Sequence, residues 1–339
     1  MSDEAAAPRP QETIMQAVFG FMASRALTVA AMLNVADALQ EGPRYYTDLA
    51  SAVGADQRSL HRLLRLLVSL GIFEETSPGT YGLNAAADLL RSDHPQSLRD
   101  MAVMITSPSH WLAWGEFDAA VRSGESGSRH AFGTDLFAWF QQEENREQWE
   151  LFNAAMTSFS AGTAAAVAKA FDFGSFGKIV DVGGGHGLLL RQLLAVAPQA
   201  TGVLFDLPAV VEGADRGELG ERLEVVGGDF FESVPAGGDA YVLKHIIHDW
   251  SEEQCVRILR NIAAGMAPDG RVLVAEIVMP DTPEPHAAKF MDVNMLAMTE
   301  GGCERTESEY AALFESAGLR LIAVHPTDSI ASIIEGVRA

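Results

Sequence analysis

Val180-Asp181-Val182-Gly183-Gly184-Gly185-His186-Gly187 is the stretch on which the reading turns. An apolar run ends in glycines and passes straight into the helical pattern Leu188–Val196. Glycine belongs where the backbone turns sharply and where a ligand must approach it closely. The last glycine falls one residue early for the G-x-G-x-x-G dinucleotide spacing, and no Lys-Ser/Thr pair follows, which excludes a P-loop. Asp206 closes the next apolar run, 23 residues after Gly183. A carboxylate there can accept hydrogen bonds from both ribose hydroxyls of an adenosine.

Working outward, Ile179–Val182, Gly202–Phe205, Glu224–Val226, Tyr241–Lys244 and Arg271–Ile277 are short apolar runs rich in β-branched residues, mostly separated by helical stretches. That alternation predicts an α/β domain, a parallel sheet with helices on its faces. Leu319–Val324 and Ile330–Val337 add two more strands. The third strand ends at Gly227-Gly228-Asp229-Phe230-Phe231, where Asp229 can accept from an adenine amino group and Phe230 can pack on its face. Ligands of open α/β sheets bind outside the carboxyl ends of the strands, where all these acids lie.

Upstream the chain reads as almost all helix. Glu12–Leu33 is apolar over more than one face, which predicts burial against something larger than its own domain. Thr47–Val53 reads as a short helix with Thr47 and Asp48 as N-cap candidates. Asp56 caps a second helix bearing Leu60, Leu63, Leu64, Leu67 and Leu70, and Gly71 stops it. Ile72–Leu83, centred on Ser77-Pro78-Gly79, reads as a hairpin, which completes a winged-helix layout. The expected division is 1–98, a helical winged-helix-like domain; 99–171, a helical linker with pocket helices; and 172–339, the sheet domain. The long helical segment Asn145–Phe171 would bridge two domains.

Asp plus Glu number 46 against 24 Lys plus Arg, a net charge of −22, so nucleic acid or an anionic membrane surface is not expected as the partner. No unbroken apolar run approaches the ~20 residues of a bilayer span. Residues 1–11 lack the layout of a signal peptide and read as a short tail. Cys255 and Cys303 are too few for a disulfide scaffold or a thiolate zinc site, so a cytoplasmic location is expected.

Taken together the sequence resembles the class I S-adenosylmethionine-dependent O-methyltransferases that act on small aromatic molecules, both the plant caffeate/flavonoid type and the bacterial polyketide and phenazine tailoring type. The resemblance is carried by Val180–Gly187, Phe205-Asp206-Leu207-Pro208, Gly227–Phe231, Leu243-Lys244-His245-Ile246-Ile247-His248-Asp249-Trp250, Val274-Ala275-Glu276 and Gly301-Gly302-Cys303-Glu304-Arg305-Thr306, with the winged-helix-like start. It implies a Rossmann-like domain of seven strands and an N-terminal helical domain that forms a homodimer. Gly183, Gly185, Asp206, Asp229, Phe230 and Lys244 would contact S-adenosylmethionine, with Asp181, Leu207 and Gly228 beside them. Phe152 and Met156 match a pair facing cofactor and substrate. His248 matches the catalytic base, flanked by Glu276 and Glu304.

Methyl transfer needs an electron-rich nucleophile. A phenol has a pKa near ~10 and an ordinary histidine near ~6.5, so full proton transfer is uphill by about 5 kcal/mol. Withdrawal of the proton as the bond forms is the easier route. An acid on the far ring nitrogen of His248 would fix its tautomer, a role open to Glu276 and Glu304. No metal is required; His245, His248 and Asp249 come from one short stretch without a third ligand from elsewhere. Asp249 reads as a cap for the helix from Ser251 and as a pocket residue. Met291, Met295 and Met298 share a helical face, either core or a substrate wall, with Asp292 and Asn294 as polar contacts and Trp111 as a further pocket candidate. Three other readings remain: a same-fold hydroxylase or decarboxylase, an N-methyltransferase, and a winged-helix DNA-binding regulator using Arg58, Arg62 and Arg65. The last sits poorly with Thr47–Asn84, which holds three basic residues against four acidic.

Overall fold

The computed structural model describes residues 9–212, 214 and 216–339, side chains 159 and 161 excepted. Most of the tail read at residues 1–11 therefore lies outside the described residues. The chain forms two compact units. One holds the chain up to Trp111 together with Glu144–Phe159; the other holds Leu112–Glu143 and Ser160–Ala339. The stretch 99–171, expected as one linker, divides between them.

The first unit opens with the helix Pro10–Met32. Its buried residues lie in the last turns, at Ala26, Thr28, Ala30 and Ala31, while Ile14, Val18, Phe19 and Phe21 are at least half exposed. By length and composition this helix is long and apolar enough to cross a membrane, with a mean hydropathy of 1.4. That corrects the sequence reading: Gln16, Ser24 and Arg25 break the run, yet the average stays high. The helices Tyr46–Val53 and Gln57–Ser69 follow, the latter capped by Asp56, whose Oδ1 accepts from Ser59 N at 2.9 Å. Thr47 and Asp48 are not caps. The strand Arg44–Tyr45 pairs with Thr80–Gly82 and runs directly into the helix, and Tyr46 N donates to Gly79 O at 2.9 Å. With Glu74–Ser77 these make the expected hairpin, a three-stranded antiparallel sheet. Leu49, Leu60, Leu64, Leu67, Phe73 and Tyr81 are its core.

The second unit is built on seven strands: β1 Lys178–Val182, β2 Thr201–Asp206, β3 Leu223–Gly227, β4 Gly238–Lys244, β5 Met266–Glu276, β6 Leu319–Pro326 and β7 Ser332–Arg338. Their order is 6-7-5-4-1-2-3, and β7 alone runs antiparallel to its neighbours. Central strands are apolar on both faces because helices cover both. Val180, Tyr241 and Val272 belong to one core cluster, Ile179, Val242 and Leu273 to the other, and all six are fully buried. Val182 pairs with Phe205, Asp206 with Gly227 and Lys244 with Ala275. The register thus brings the carboxyl ends of β1 to β5 to one edge, with Asp206 and Glu276 as the last residues of β2 and β5.

Candidate active site

At that edge the bend after β1 depends on two glycines. Gly183 has φ +71°, and a Cβ there would lie 2.5 Å from Ile246 Cδ1. Gly185 has φ +57° and faces open space. Asp206 fastens the bend to β2: its Oδ2 accepts from Gly185 N at 2.8 Å and its Oδ1 from Leu207 N at 2.7 Å. Burial raises its pKa despite those two donors. Each carboxylate oxygen keeps a second acceptor site, which is what a ribose diol requires. Leu207 beside it is half exposed.

Asp181, at the floor of the bend, is fully buried, and burial pushes its pKa up to about 7. Its Oδ2 has no hydrogen-bond partner among the described residues. Lys244 closes β4 and donates to Ser160 Oγ at 2.7 Å; burial lowers its pKa. Phe230 is half-buried and stands edge-on to Phe231 and Trp250, while Asp229 Oδ1 accepts from Phe231 N at 2.8 Å. Gly228 has a packing reason of its own, since a Cβ there would lie 2.5 Å from the Phe205 ring. An orphaned buried carboxylate oxygen, a bend that leaves Gly185 open and an acid at the end of β2 fit an adenosyl cation.

The turn after β4 carries the second half of the site. His248 is buried, and its Nδ1 lies 2.9 Å from Glu304 Oε1. Asp249 Oδ1 is 3.7 Å from Nε2. Burial opposes a charge on the imidazole, but Asp249, the hydrogen bond to Glu304 and the charge of Glu276 outweigh it and push its pKa up to about 10. Burial pushes Asp249 up to about 6 and raises Glu304 as well. Next to this group, His245 has φ +54°, and burial holds its pKa well below the usual histidine range. Its ring centroid is 5.4 Å from that of His248.

The two glutamates therefore part company. Glu304 is the partner of the imidazole. Glu276 is fully buried and holds the backbone: its Oε1 accepts from the N–H groups of Ile246, Ile247 and His248, and its Oε2 from the Tyr310 hydroxyl. Ligand atoms of His248, Glu276 and Glu304 lie within 4.8 Å of one another, so the fold does bring potential metal ligands from elsewhere to His248. Those of Glu276 are already engaged by four donors. Asp249 is not the helix cap, because Ser251 fills that position in a capping box with Gln254.

Across the site lies the helix Ala287–Met298. Met295 and Met298 are buried and Met291 half-buried, so two of the three methionines are core. Asn294 Oδ1 accepts from Trp114 Nε1 at 3.0 Å, and Asp292 Oδ1 from Glu304 N at 3.0 Å. The tryptophan reaching this helix is thus Trp114. Trp111 belongs to the first unit and packs near Phe21, and Phe152 and Met156 lie in that unit too, Phe152 stacked with Trp149. Tyr310, Arg305 and Ser160 were not foreseen as site residues. Tyr310 and Ser160 carry no motif signal, while Arg305 directly follows Glu304.

Residues 114–320 match the model of the O-methyltransferase domain, and residues 15–93 that of the O-methyltransferase dimerisation domain. The chain belongs to this O-methyltransferase family. It is 40% identical to the mitomycin biosynthesis 6-O-methyltransferase of Streptomyces lavendulae, over 94% of this chain and 91% of that one. It is 37% identical to the phenazine O-methyltransferase PhzM of Lysobacter antibioticus, over 95% and 94%. The calicheamicin-biosynthesis methyltransferase CalO1, solved with S-adenosylhomocysteine, superposes with a TM-score of 0.89 at 37% identity, over 98% of this chain and all of that one. The family's methyl donor is S-adenosylmethionine.

Proposed function

We propose that this O-methyltransferase methylates a hydroxyl of a small aromatic natural product, with His248 as general base and Glu304 as the acid that orients it. The observation that carries this reading is the buried 2.9 Å contact between His248 Nδ1 and Glu304 Oε1. It leaves Nε2 as the ring nitrogen for an acceptor hydroxyl. S-adenosylmethionine supplies an electrophilic methyl carbon on a sulfonium. Asp206 would hold its ribose, Asp229, Phe230 and Leu207 its adenine, with Gly183, Gly185 and Gly228 allowing close approach and Asp181 and Lys244 completing the set.

The acids around His248 change the proton arithmetic. With its pKa pushed up to about 10, the imidazole matches a phenol of pKa ~10. Phenol with neutral imidazole, and phenolate with imidazolium, then differ little in free energy, so the acceptor oxygen gains anionic character at small cost. Engagement of both Glu276 oxygens supports a reaction that needs no metal ion. Relatives named for a phenazine and for 3-amino-4-hydroxybenzoate support an aromatic acceptor. The exposed apolar face of Pro10–Met32 and the dimerisation-domain match support a homodimer.

The test is turnover of His248→Ala with phenolic, naphthoic, anthracyclinone and phenazine acceptors and labelled methyl donor. A loss of about 10²-fold or more is expected with the best acceptor, at unchanged donor affinity. Undiminished turnover would overturn the base assignment.

A further inference from the structure

Glu276 is an unusual carboxylate for a strand end, being fully buried with no salt bridge among the described residues. Its Oε1 faces three successive backbone donors, Ile246 at 3.0 Å, Ile247 at 2.6 Å and His248 at 3.3 Å. Its Oε2 has Tyr310, whose hydroxyl donates at 2.7 Å. Fixing one oxygen of a carboxylate leaves its plane free to rotate; fixing both sets it. We propose that Tyr310 is a positioning residue for methyl transfer: its hydroxyl orients Glu276, and Glu276 holds through those three N–H groups the turn that carries His248. The inference rests on His248 being the base.

Three further observations support it. Tyr310 is itself fully buried on the helix Glu307–Ser316, whose start is locked by a capping box between Thr306 and Glu309, so the hydroxyl is presented from a fixed element. Burial, then the charge of Glu276, keep its pKa well above the usual tyrosine range, so it remains a donor at any working pH. The carbonyl side of the same turn is held as well. Buried Arg305 donates to Ile247 O at 3.1 Å and to Trp250 O at 3.1 Å. The turn is thus gripped through its donors by Glu276 and through its acceptors by Arg305, and Tyr310 is the side chain that donates to the first grip. Small displacements of a reacting group cost rate steeply.

The experiment is Tyr310→Phe, which removes one oxygen, made in the wild type and in His248→Ala. In the wild type kcat is expected to fall about tenfold, with acceptor KM and donor affinity by calorimetry within about twofold. The histidine ring NMR signal that His248→Ala abolishes is expected to shift or broaden in Tyr310→Phe. In His248→Ala, Tyr310→Phe is expected to cost nothing further, because the residue acts through His248. A lower melting temperature with unchanged kcat and an unmoved His248 signal overturns the proposal, as does an equal loss of kcat in both backgrounds. Full activity of His248→Ala sinks the base reading and this inference with it; a large loss there beside an unaffected Tyr310→Phe sinks this inference alone.

Discussion

His248 and Glu304 stand 56 residues apart in the chain and meet in a buried contact of 2.9 Å. The loop after β4 brings the imidazole and the loop before Glu307–Ser316 brings the acid. An acid so placed favours the charged form of the ring, and in the proposed mechanism it sets which nitrogen carries the proton.

That preference predicts a pH profile. Only the neutral imidazole can accept a proton, and a pKa pushed up to about 10 makes that form scarce at neutrality. With a phenolic acceptor, kcat/KM is expected to rise by about tenfold per pH unit from about pH 7 to about pH 9. A rate flat over that interval would mean the acids do not hold the proton on His248. The stability linkage has the opposite sign. The folded state favours imidazolium, so this contribution is fully present below the unfolded histidine pKa of ~6.5 and is lost as pH rises through about 10.

Glu304→Gln keeps the size of the side chain and removes its charge. The midpoint of the profile is expected to move to lower pH, and the plateau of kcat to fall roughly tenfold because the imidazolium formed during transfer loses its partner. Profiles of kcat/KM against pH for the two proteins decide the matter. An unmoved midpoint would assign the raised pKa to Asp249 and Glu276 instead.

Much of this was legible in the sequence, and the reasons differ by residue. Gly183, Gly185 and Asp206 announced themselves because local backbone geometry and strand ends leave marks in short stretches. His248 and Glu304 stood out through motifs. What stayed hidden were long-range hydrogen bonds. Nothing in the spacing says that Glu276 answers backbone N–H groups and Tyr310 while Glu304 answers the imidazole. The cap at Ser251 rather than Asp249, and the helix start at Tyr46 rather than Thr47, were decided by strand pairing and by a capping box that competes with nearby acids. Trp111 and Trp114 are three residues apart, and only the packing of Ala287–Met298 against its own unit selects the second.

Asp206 does double duty, so its substitutions should separate. Asp206→Ala removes the anchor of Gly185 and Leu207 and, on the proposed assignment, the acceptor for a ribose. Donor affinity by calorimetry is expected to fall more than about tenfold, consistent with a charge-assisted contact worth about 1.5–3 kcal/mol. Asp206→Asn keeps one acceptor oxygen and is expected to lose less. Unchanged affinity in the alanine variant would remove Asp206 from the cofactor site.

The first helix gives the last test. Ile14 is 64% and Phe19 50% exposed, an amount of apolar surface at one helix that a solitary chain has no reason to keep. Neither side chain is in the core of the first unit, which this helix enters through Ala26, Ala30 and Ala31, with Leu27 packed against it. Replacing both Ile14 and Phe19 with Glu therefore leaves that core intact and places two charges on the exposed face. Light scattering is expected to change from a dimer to a monomer, with the circular dichroism spectrum and melting temperature of the folded chain retained. A dimer that persists through both substitutions would mean that this face is not the interface, and the assembly would have to be sought elsewhere in residues 15–93.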